Sequence, residues 1–425
     1  MSAGTQPGEF MSRRVVESGA GSARVAVNLS SPAALVLLVV SWAVTRAVLF
    51  AQTFSGQVPT DVLAYARWAG DAAVGAAPAT DTAFVYPPGA VALFFAVDVI
   101  PGDAYFRTFT LVAALADLLI LVLLWWVVRG ATNKQQLAPW VWVGMGFAAG
   151  PLMYERYDIF AAMFAVLAVL SLRKPVITGV WAGVGLIVKL WPEIALLGVA
   201  RRHLARALAV NLGVIVGLWA VLELVWGNSL NFIANVLNKG MSVEAVAAYP
   251  FLLMRSAGTE HGVTGQYGSW EVIGPGVESA ATATTVVGVV LLLGIFILRV
   301  LGRLEAAVPG DVVLFGVLIF VATHKINSLQ YGVWIAAIAA AALTFPSSRA
   351  MGPAVLLTLM LLVADQVIWD NFVPFISGNP LFLGYQGLRL LLLLAATVWI
   401  GWTVLSSAFR PSDGRNSAPS VPSDF

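Results

Sequence analysis

The chain has 425 residues, of which 59% are hydrophobic and 11% are charged, whereas soluble domains have roughly 45–50% apolar and about 25% charged residues. This composition excludes a soluble globular protein, and 15 Trp and 22 Phe residues exclude a disordered chain. A formal net charge of +2 is too small to hold a nucleic-acid backbone. The lack of cysteine excludes disulfides, Cys-zinc sites and thiol catalysis. The sequence therefore indicates a protein embedded in a lipid bilayer.

The two ends of the chain are polar, and residues 1–30 and 409–425 are expected to be disordered cytoplasmic tails. The run at 32–52 has about 20 apolar residues, longer than the core of a signal peptide, which indicates a retained span. Between the tails we expect one integral membrane domain, residues 31–408. Its further apolar segments lie at about 87–100, 104–128, 137–153, 156–172, 176–200, 206–226, 279–301, 311–323, 326–345, 353–370 and 385–408.

All of these segments should be helices, because lipid offers no partner to unpaired backbone groups and no alternating barrel pattern is present. The fold class predicted is an all-α polytopic membrane protein with about 10–12 helices. Two segments are expected to be partial or re-entrant. The run at 87–100 is too short to cross and is bounded by prolines, and the run at 176–200 is interrupted by Lys189 and Pro192.

The positions of Lys and Arg predict the orientation of the helices. With the two partial segments excluded, about ten crossings remain, and 15 of the 24 basic residues fall on one side, which should be cytoplasmic. These clusters are Arg13/Arg14/Arg24, Arg129/Lys134, Arg173/Lys174, Arg201/Arg202/Arg206, Arg299/Arg303, Arg349 and Arg410/Arg415. The long polar insertions at 53–86 and 227–278 then lie outside.

The other basic residues are expected in the outer half of the protein. Arg107 and Arg389 are explained singly by long side chains that extend to the surface from helix ends. The set as a whole favours an anionic ligand on the outer side, since ionisable residues within a membrane usually face a cavity or pathway. The complete set is Arg46, Arg67, Arg107, Arg156, Lys189, Lys239, Arg255, Lys325 and Arg389.

The first outer insertion contains a short helix that we expect Thr60 to cap at its N-terminus, with Asp61 in the first turn. Spacings of four and three residues place Asp61, Tyr65 and Trp68 on one face. Asp61 either points with these aromatic rings towards a ligand or only complements the helix dipole. Asp81 has no such neighbours in the sequence and is expected to be solvated.

His324 and Lys325 follow an apolar run of about 13 residues, which is too short to reach the membrane surface. Adjacent His and Lys at that depth favour a function over a packing role. Three dispersed histidines and the lack of an Asp-x-Asp pair argue against a tight metal site, so neither a metal nor another cofactor is expected.

Three further positions carry charges near the outer ends of helices. Arg156 either forms an ion pair with Asp158 or Glu155, or contacts a ligand. Lys189 lies at the apex of a broken helix, where an ammonium group suits a phosphate. In the second insertion, Glu244 lies among charges and aromatic residues that suit either sugar binding or packing against lipid headgroups.

These motifs, in order along residues 32–408, resemble the actinobacterial polyprenyl-phosphate-mannose-dependent mannosyltransferases of the GT-C superfamily. The resemblance rests on the Asp61/Tyr65 helix with Tyr86-Pro87-Pro88-Gly89, Arg156-Tyr157-Asp158, Lys189-Leu190-Trp191-Pro192, the stretches 239–244 and 250–255, and the segment 325–331. Asn327 and Leu329 depart from the commoner family pattern, in which Val or Leu and Pro are usual.

The resemblance implies that Asp61 is the catalytic base and that His324 belongs to the catalytic site. It also implies a set of residues that bind the donor phosphate and substrate: Arg67, Tyr65, Tyr86, Arg156, Asp158, Lys189, Glu244, Lys325, Gln330 and Tyr331. The expected reaction is inverting transfer of mannose from polyprenyl-phosphate-mannose to a phosphatidylinositol mannoside or related lipoglycan, forming an α-(1,2) linkage. The expected location is the extracytoplasmic side of the inner (plasma) membrane.

A transporter or lipid flippase without enzymatic activity is the alternative. Inverted repeats and a charged pathway through both faces would favour it. The sequence has neither feature. The intramembrane charges are concentrated on one side.

Overall fold

The computed structural model describes residues 29, 31–76, 81, 83–102, 104–131, 133–266 and 268–409. The predicted tails, 1–30 and 409–425, lie outside the described residues except at Leu29 and Phe409.

Helices dominate the described part of the chain, and the all-α prediction is confirmed. In chain order they are α1 Pro32–Ser55, α2 Thr60–Ala73, α3 Pro88–Asp98, α4 Tyr105–Val128, α5 Ala138–Ala148, α6 Leu152–Glu155, α7 Asp158–Leu170, α8 Pro175–Val188, α9 Arg201–Trp226, α10 Asn231–Asn238, α11 Tyr249–Ser256, α12 Val277–Val300, α13 Pro309–Thr323, α14 Tyr331–Ala342, α15 Met351–Met360, α16 Gln366–Asp370, α17 Phe372–Ile376 and α18 Pro380–Ala408. Short 3-10 helices lie at Asn133–Leu137, Trp191–Gly198 and Val246–Ala248, and a π-helical turn at Leu361–Asp365 joins α15 to α16.

Six of the described helical segments are long and apolar enough to cross a membrane: α1, α4, α9, α12, the continuous stretch Met351–Asp370 and α18. Large apolar side chains on α9 and α12, such as Leu224 and Val289, are exposed, as expected for surfaces that face lipid. The shorter α13 and α14 are buried instead, and α14 is buried at every residue. Its alanines allow neighbouring helices to approach closely.

The chain breaks at Lys189 as the sequence predicts. Helix α8 ends at Val188, Lys189 has extended backbone, and a 3-10 helix begins at Trp191. Pro192 lacks the N–H group that a continuing α-helix would use, so the break is built into the sequence. Helix α3, the other segment predicted to be partial, has 11 residues and packs against α2, α4 and α8.

The two polar insertions meet at one end of the helices. Trp226 Nε1 donates to Ala72 O at 3.0 Å, and Asn235 Nδ2 donates to Asp81 O at 3.1 Å and Phe84 O at 2.9 Å. The loops that carry the predicted cytoplasmic cations lie at the opposite ends of the same helices. There Arg201 N donates to Glu305 Oε1 at 2.8 Å, and Gln135 Nε2 donates to Thr344 O at 2.5 Å.

A small antiparallel sheet organises the second insertion. Its strands β1 (Met241–Ser242), β2 (Gly262–Gln266) and β3 (Ser269–Ile273) have the order β1-β3-β2, with Met241 and Val263 both opposite Val272. Ser242 N also donates to Lys325 O at 2.9 Å. The sheet therefore ties the second insertion to the segment between α13 and α14, and both reach the site described next.

Candidate active site

A cavity of about 390 Å³ opens between the two insertions and the ends of α8, α13 and α14. Charged groups, polar groups and aromatic rings all line it. Its principal lining residues are Asp61, Tyr86, Arg156, Tyr157, Lys189, Trp191, Lys239, Ser242, Glu244, Trp270, His324, Gln330, Tyr331, Trp334 and Trp369.

Asp61 reaches this cavity from the first turn of α2 and forms an ion pair with Arg156. The prediction that Thr60 caps the helix is wrong. Pro59 is the N-cap, and its carbonyl oxygen accepts from Val62 N at 3.0 Å, so the first turn closes on backbone alone. The Asp61 carboxylate interacts with the Arg156 guanidinium, and its position in the first turn is also favourable for the helix dipole.

Arg156 lies between the short α6 and α7, and its side chain is 10% exposed. Its guanidinium carbon lies 5.4 Å from the centre of the Trp369 ring, within cation–π range. Of the two roles that the sequence allows, the structure shows an ion pair, with Asp61 rather than with Asp158 or Glu155 as the partner. Arg156 also lines the cavity, so a ligand can still contact it.

Lys189 lies at the chain break, where its ammonium Nζ is 2.6 Å from Asp158 Oδ1. Trp334 Nε1 donates to the same oxygen at 2.6 Å. The Asp158 carboxylate thus holds both the Lys189 ammonium and the Trp334 indole in place, although Asp158 itself does not line the cavity. The ammonium lies within 6 Å of four aromatic ring centres. These are Tyr157 at 4.4 Å, Trp334 at 5.0 Å, Tyr86 at 5.8 Å and Tyr331 at 5.9 Å.

Lys239 and Glu244 enter the cavity from the second insertion and are 7% and 8% exposed. Among the described residues, the Lys239 ammonium makes no hydrogen bond or ion pair. Burial lowers the pKa of Lys239, although Glu271, Asp61 and Glu244 oppose that change. Burial raises the pKa of Glu244, opposed in part by Arg389. The cavity therefore holds an ammonium group that is short of a partner.

His324 terminates α13, and its Nδ1 lies 2.5 Å from Ile326 O. A hydrogen on Nδ1 that bonds this oxygen leaves Nε2 available towards the cavity that His324 lines. The neighbouring Lys325 does not line the cavity. Its Nζ donates to Leu237 O at 3.1 Å and Lys239 O at 2.5 Å, so Lys325 holds the chain beside Lys239 in place.

Several of the aromatic rings that line the cavity stack on one another. Tyr331 stacks on Trp334 with ring centres 3.7 Å apart, and Trp334 stacks on Trp191 at 4.9 Å. Gln330 lines the cavity beside them and accepts a hydrogen bond from Ser328 Oγ. Flat apolar faces beside polar groups suit a sugar ring or a prenyl chain.

Eight of the twelve predicted site residues line the cavity: Asp61, Tyr86, Arg156, Lys189, Glu244, His324, Gln330 and Tyr331. Besides Asp158 and Lys325, two others do not. Tyr65 is buried in an aromatic cluster, where it stacks on Phe94 at 4.3 Å. Arg67 is 59% exposed and pairs with Asp81, which also accepts from Trp68 Nε1 at 3.0 Å. Asp81 is therefore paired, contrary to the prediction that it is simply solvated.

Arg389 differs from its sequence interpretation. It does not extend to the surface, because it is 1% exposed and its Nε donates to Asp365 Oδ1 at 2.5 Å. Its two other nitrogens donate to Glu244 O at 3.0 Å and Asn327 Oδ1 at 3.1 Å. Arg46 is likewise paired, with Asp117 at 2.9 Å. A buried carboxylate distant in sequence explains each cation, and sequence spacing could not reveal either pair.

Lys239 was not among the predicted site residues, although it lines the cavity and its ammonium has no hydrogen-bond or ion-pair partner among the described residues. The sequence signal is weak, because Lys239 follows the short α10 in a polar loop like many surface lysines. Lys239 becomes enclosed only because β1 and the segment 325–327 pack beside it in the tertiary structure.

Comparison with known protein families identifies the kind of enzyme that carries this cavity. The family model of glycosyltransferase family 87 matches residues 84–323, more than half of the chain. The chain belongs to this family. No curated protein and no solved structure gives a match.

Family 87 membership and the six long apolar helices make the protein a multi-pass membrane glycosyltransferase. The matched region contains Arg156, Lys189, Lys239 and Glu244, whereas Asp61 precedes it and His324 directly follows it. The cavity therefore combines residues from the family 87 region with residues from both flanks.

Proposed function

We propose that this family 87 enzyme transfers mannose from polyprenyl-phosphate-mannose to a phosphatidylinositol mannoside or related lipoglycan. The observation that carries the proposal is that one cavity is lined by the Asp61 carboxylate and by the Lys239 ammonium, which has no hydrogen-bond or ion-pair partner among the described residues. Sugar transfer from a lipid phosphate needs a base for the acceptor hydroxyl and a positive charge for the leaving phosphate. The two groups supply these two requirements.

Asp61 is the proposed general base. Its side chain is 27% exposed and pairs with Arg156, so the carboxylate is held at the cavity and remains accessible to an approaching hydroxyl. In the proposed step the acceptor oxygen attacks the anomeric carbon, and its proton passes to Asp61. The bond from that carbon to the phosphate oxygen breaks at the same time, with its electron pair leaving on polyprenyl phosphate. A single displacement inverts the anomeric configuration and gives an α-mannoside from a β-linked donor.

Lys239 is the proposed main partner of the donor phosphate. Lys189 already has Asp158 as its partner, and Arg156 has Asp61, whereas the Lys239 ammonium has no partner among the described residues. A phosphate gives this cation the hydrogen-bond acceptors that it lacks among the described residues. His324 Nε2, Lys189 and Arg156 complete the proposed phosphate environment, and the Tyr331–Trp334 stack offers a surface for the sugar.

The proposed location is the extracytoplasmic side of the inner (plasma) membrane. Both insertions that build the cavity lie at the end of the helices away from the basic clusters, and Lys and Arg concentrate in cytoplasmic loops. Nucleotide sugars are absent outside the cytoplasm, which supports a donor carried on a lipid. The particular acceptor and the α-(1,2) linkage rest on the resemblance to the phosphatidylinositol mannoside mannosyltransferase PimE.

The test is a transfer assay with purified protein, polyprenyl-phosphate-mannose and defined phosphatidylinositol mannosides. We expect a mannosylated lipid with one added α-linked residue from the native chain and none from Asp61→Asn. Donor consumption with no product from any acceptor, or movement of the donor lipid across a vesicle membrane without transfer, would contradict the proposal. The second result would support the transporter alternative.

A further inference from the structure

A second cavity of about 280 Å³ adjoins the proposed active site. It lies between the C-terminal end of α1, the turn around α6, and α16. Its polar lining consists of Gln52, Ser55, Glu155, Gln366 and Asp370, and Trp369 lines both this cavity and the first one. The Trp369 ring is therefore the wall shared by the two spaces.

Glu155 and Arg156 are consecutive, yet each serves a different cavity. Helix α6 ends at Glu155 because Arg156 has extended backbone, with φ −131° and ψ 145°. Neighbouring side chains point to opposite sides at an extended residue. Arg156 accordingly lines the first cavity beside Asp61, while Glu155 lines the second.

The Glu155 carboxylate lacks a partner. The residue is 8% exposed, and among the described residues its carboxylate makes no hydrogen bond or ion pair. Burying a carboxylate without a hydrogen-bond donor is unfavourable. A ligand that brings hydrogen-bond donors into the cavity would offset that cost.

Gln366 presents a second acceptor to the same space. Its Nε2 donates to Ala148 O at 2.7 Å and Phe147 O at 3.2 Å, and these contacts fix the orientation of the amide. Its Oε1 makes no hydrogen bond among the described residues. The amide is thus held with its donor side occupied and its acceptor side available.

The lining chemistry selects the class of ligand. Two carboxylates and an oriented amide oxygen accept hydrogen bonds, and no Lys, Arg or His is among the described residues that line this cavity. A phosphate group would be repelled by Glu155 and Asp370. A molecule with several hydroxyl groups supplies the donors that these acceptors need, and the C–H face of a sugar packs on an indole ring such as Trp369.

We propose that the second cavity binds an uncharged polyhydroxylated headgroup, the sugar part of the acceptor, and presents it past Trp369 to Asp61. This inference rests on the proposed function for the role of the bound sugar as acceptor. It assigns acceptor recognition to Glu155 and Gln366, and it leaves donor recognition to Lys239 and the first cavity.

The test compares the native enzyme with Glu155→Ala in steady-state transfer from polyprenyl-phosphate-mannose to a dimannosylated phosphatidylinositol. We expect the acceptor KM to rise by about tenfold or more, the effect of losing a hydrogen bond to a charged group, with the donor KM unchanged. Glu260→Ala is the matched control, because Glu260 is exposed in the second insertion and lines neither cavity. An unchanged acceptor KM in Glu155→Ala would overturn the inference.

A binding measurement separates this inference from the proposed function. Saturation-transfer NMR with methyl α-mannoside, without donor, should detect binding to the native protein. Binding should be weaker in Glu155→Ala and in Asp370→Ala, since both residues line the second cavity. A native protein that transfers no mannose, but binds methyl α-mannoside more tightly than both variants do, would support the sugar site and reject the proposed mannosyltransferase activity. Equal binding of methyl α-mannoside by the native protein and both variants would reject the sugar site.

Discussion

The Asp61 carboxylate pairs with the Arg156 guanidinium across two parts of the chain that are 95 residues apart, one in the first insertion and one between α6 and α7. The pair brings the proposed base to the cavity wall and compensates its charge. The Asp61 side chain nevertheless remains 27% exposed and lines the cavity. An acceptor hydroxyl in the cavity can therefore approach a carboxylate that is held in place, as general-base catalysis requires.

Asp61→Asn should reduce the turnover rate by roughly 10² to 10⁴, the usual contribution of a positioned general base. Asn keeps the size of the side chain and an oxygen for Arg156, so donor binding should persist. Turnover and donor affinity should be measured on the same preparation. Asp71→Asn, on the same helix but outside the cavity, is the control and should remain active. Near-native turnover of Asp61→Asn would leave Asp61 with only a structural role.

Lys239→Ala should weaken donor binding by about tenfold to a hundredfold, the range expected for one lost charged hydrogen bond. Its unfolding temperature should not fall, because the substitution removes a buried ammonium that has no partner among the described residues. Donor titration and thermal unfolding in detergent measure the two effects. Lys134→Ala, an exposed lysine at the other end of the helices, should change neither. A lower unfolding temperature with native donor affinity would assign Lys239 to folding instead.

The helices and the two partial segments could be predicted from the sequence because each depends on local chemistry. Apolar runs of about 20 residues must be helical in lipid, and Pro192 interrupts a helix wherever it occurs. The depth of His324 below the surface and the helical spacing of Asp61 with Tyr65 and Trp68 singled out these two residues, whereas their catalytic roles were predicted only from the family resemblance.

The pairings of charges could not be predicted, because they depend on how distant segments pack. Nothing near Arg389 in the sequence indicates Asp365 as its partner, since α16 and α17 separate the π-helical turn that contains Asp365 from α18, which contains Arg389. Lys325 and Lys239 are both lysines in polar loops. Only the tertiary structure shows that backbone carbonyl groups occupy the first and leave the second without a partner.

Stability should depend on pH through Glu244, whose pKa is raised above its ordinary value of 4.5 by burial. Between the ordinary and the raised value, the folded protein binds more protons than the unfolded chain. The stabilising contribution is therefore complete at low pH and is lost as the pH rises through this window. Thermal unfolding of the native protein and Glu244→Gln should be compared across the window. The loss of stability with rising pH should be smaller in Glu244→Gln than in the native protein. The exposed-site control Glu260→Gln should show the same pH dependence as the native protein. The same pH dependence in all three proteins would contradict the role of Glu244.

Orientation in the membrane can be measured directly, because the chain contains no cysteine. Val74, at the end of α2, is 82% exposed and should react as Val74→Cys with an impermeant maleimide added to intact cells. Lys134→Cys should react only after the membrane is opened. Labelling of Lys134→Cys alone in intact cells would reverse the proposed orientation and remove the cavity from the extracytoplasmic side.

Lys189 should stabilise the fold through Asp158 as well as serve the cavity. Lys189→Met leaves the Asp158 carboxylate, which is 1% exposed, without its cation, and breaking a buried ion pair costs about 3–5 kcal/mol. We expect a lower free energy of unfolding for Lys189→Met and for Asp158→Asn, and a smaller loss in the double variant than the sum of the two. Unfolding in detergent measures this coupling. Strict additivity would mean that Lys189 and Asp158 do not stabilise each other, and that the ammonium is held by the surrounding aromatic rings alone.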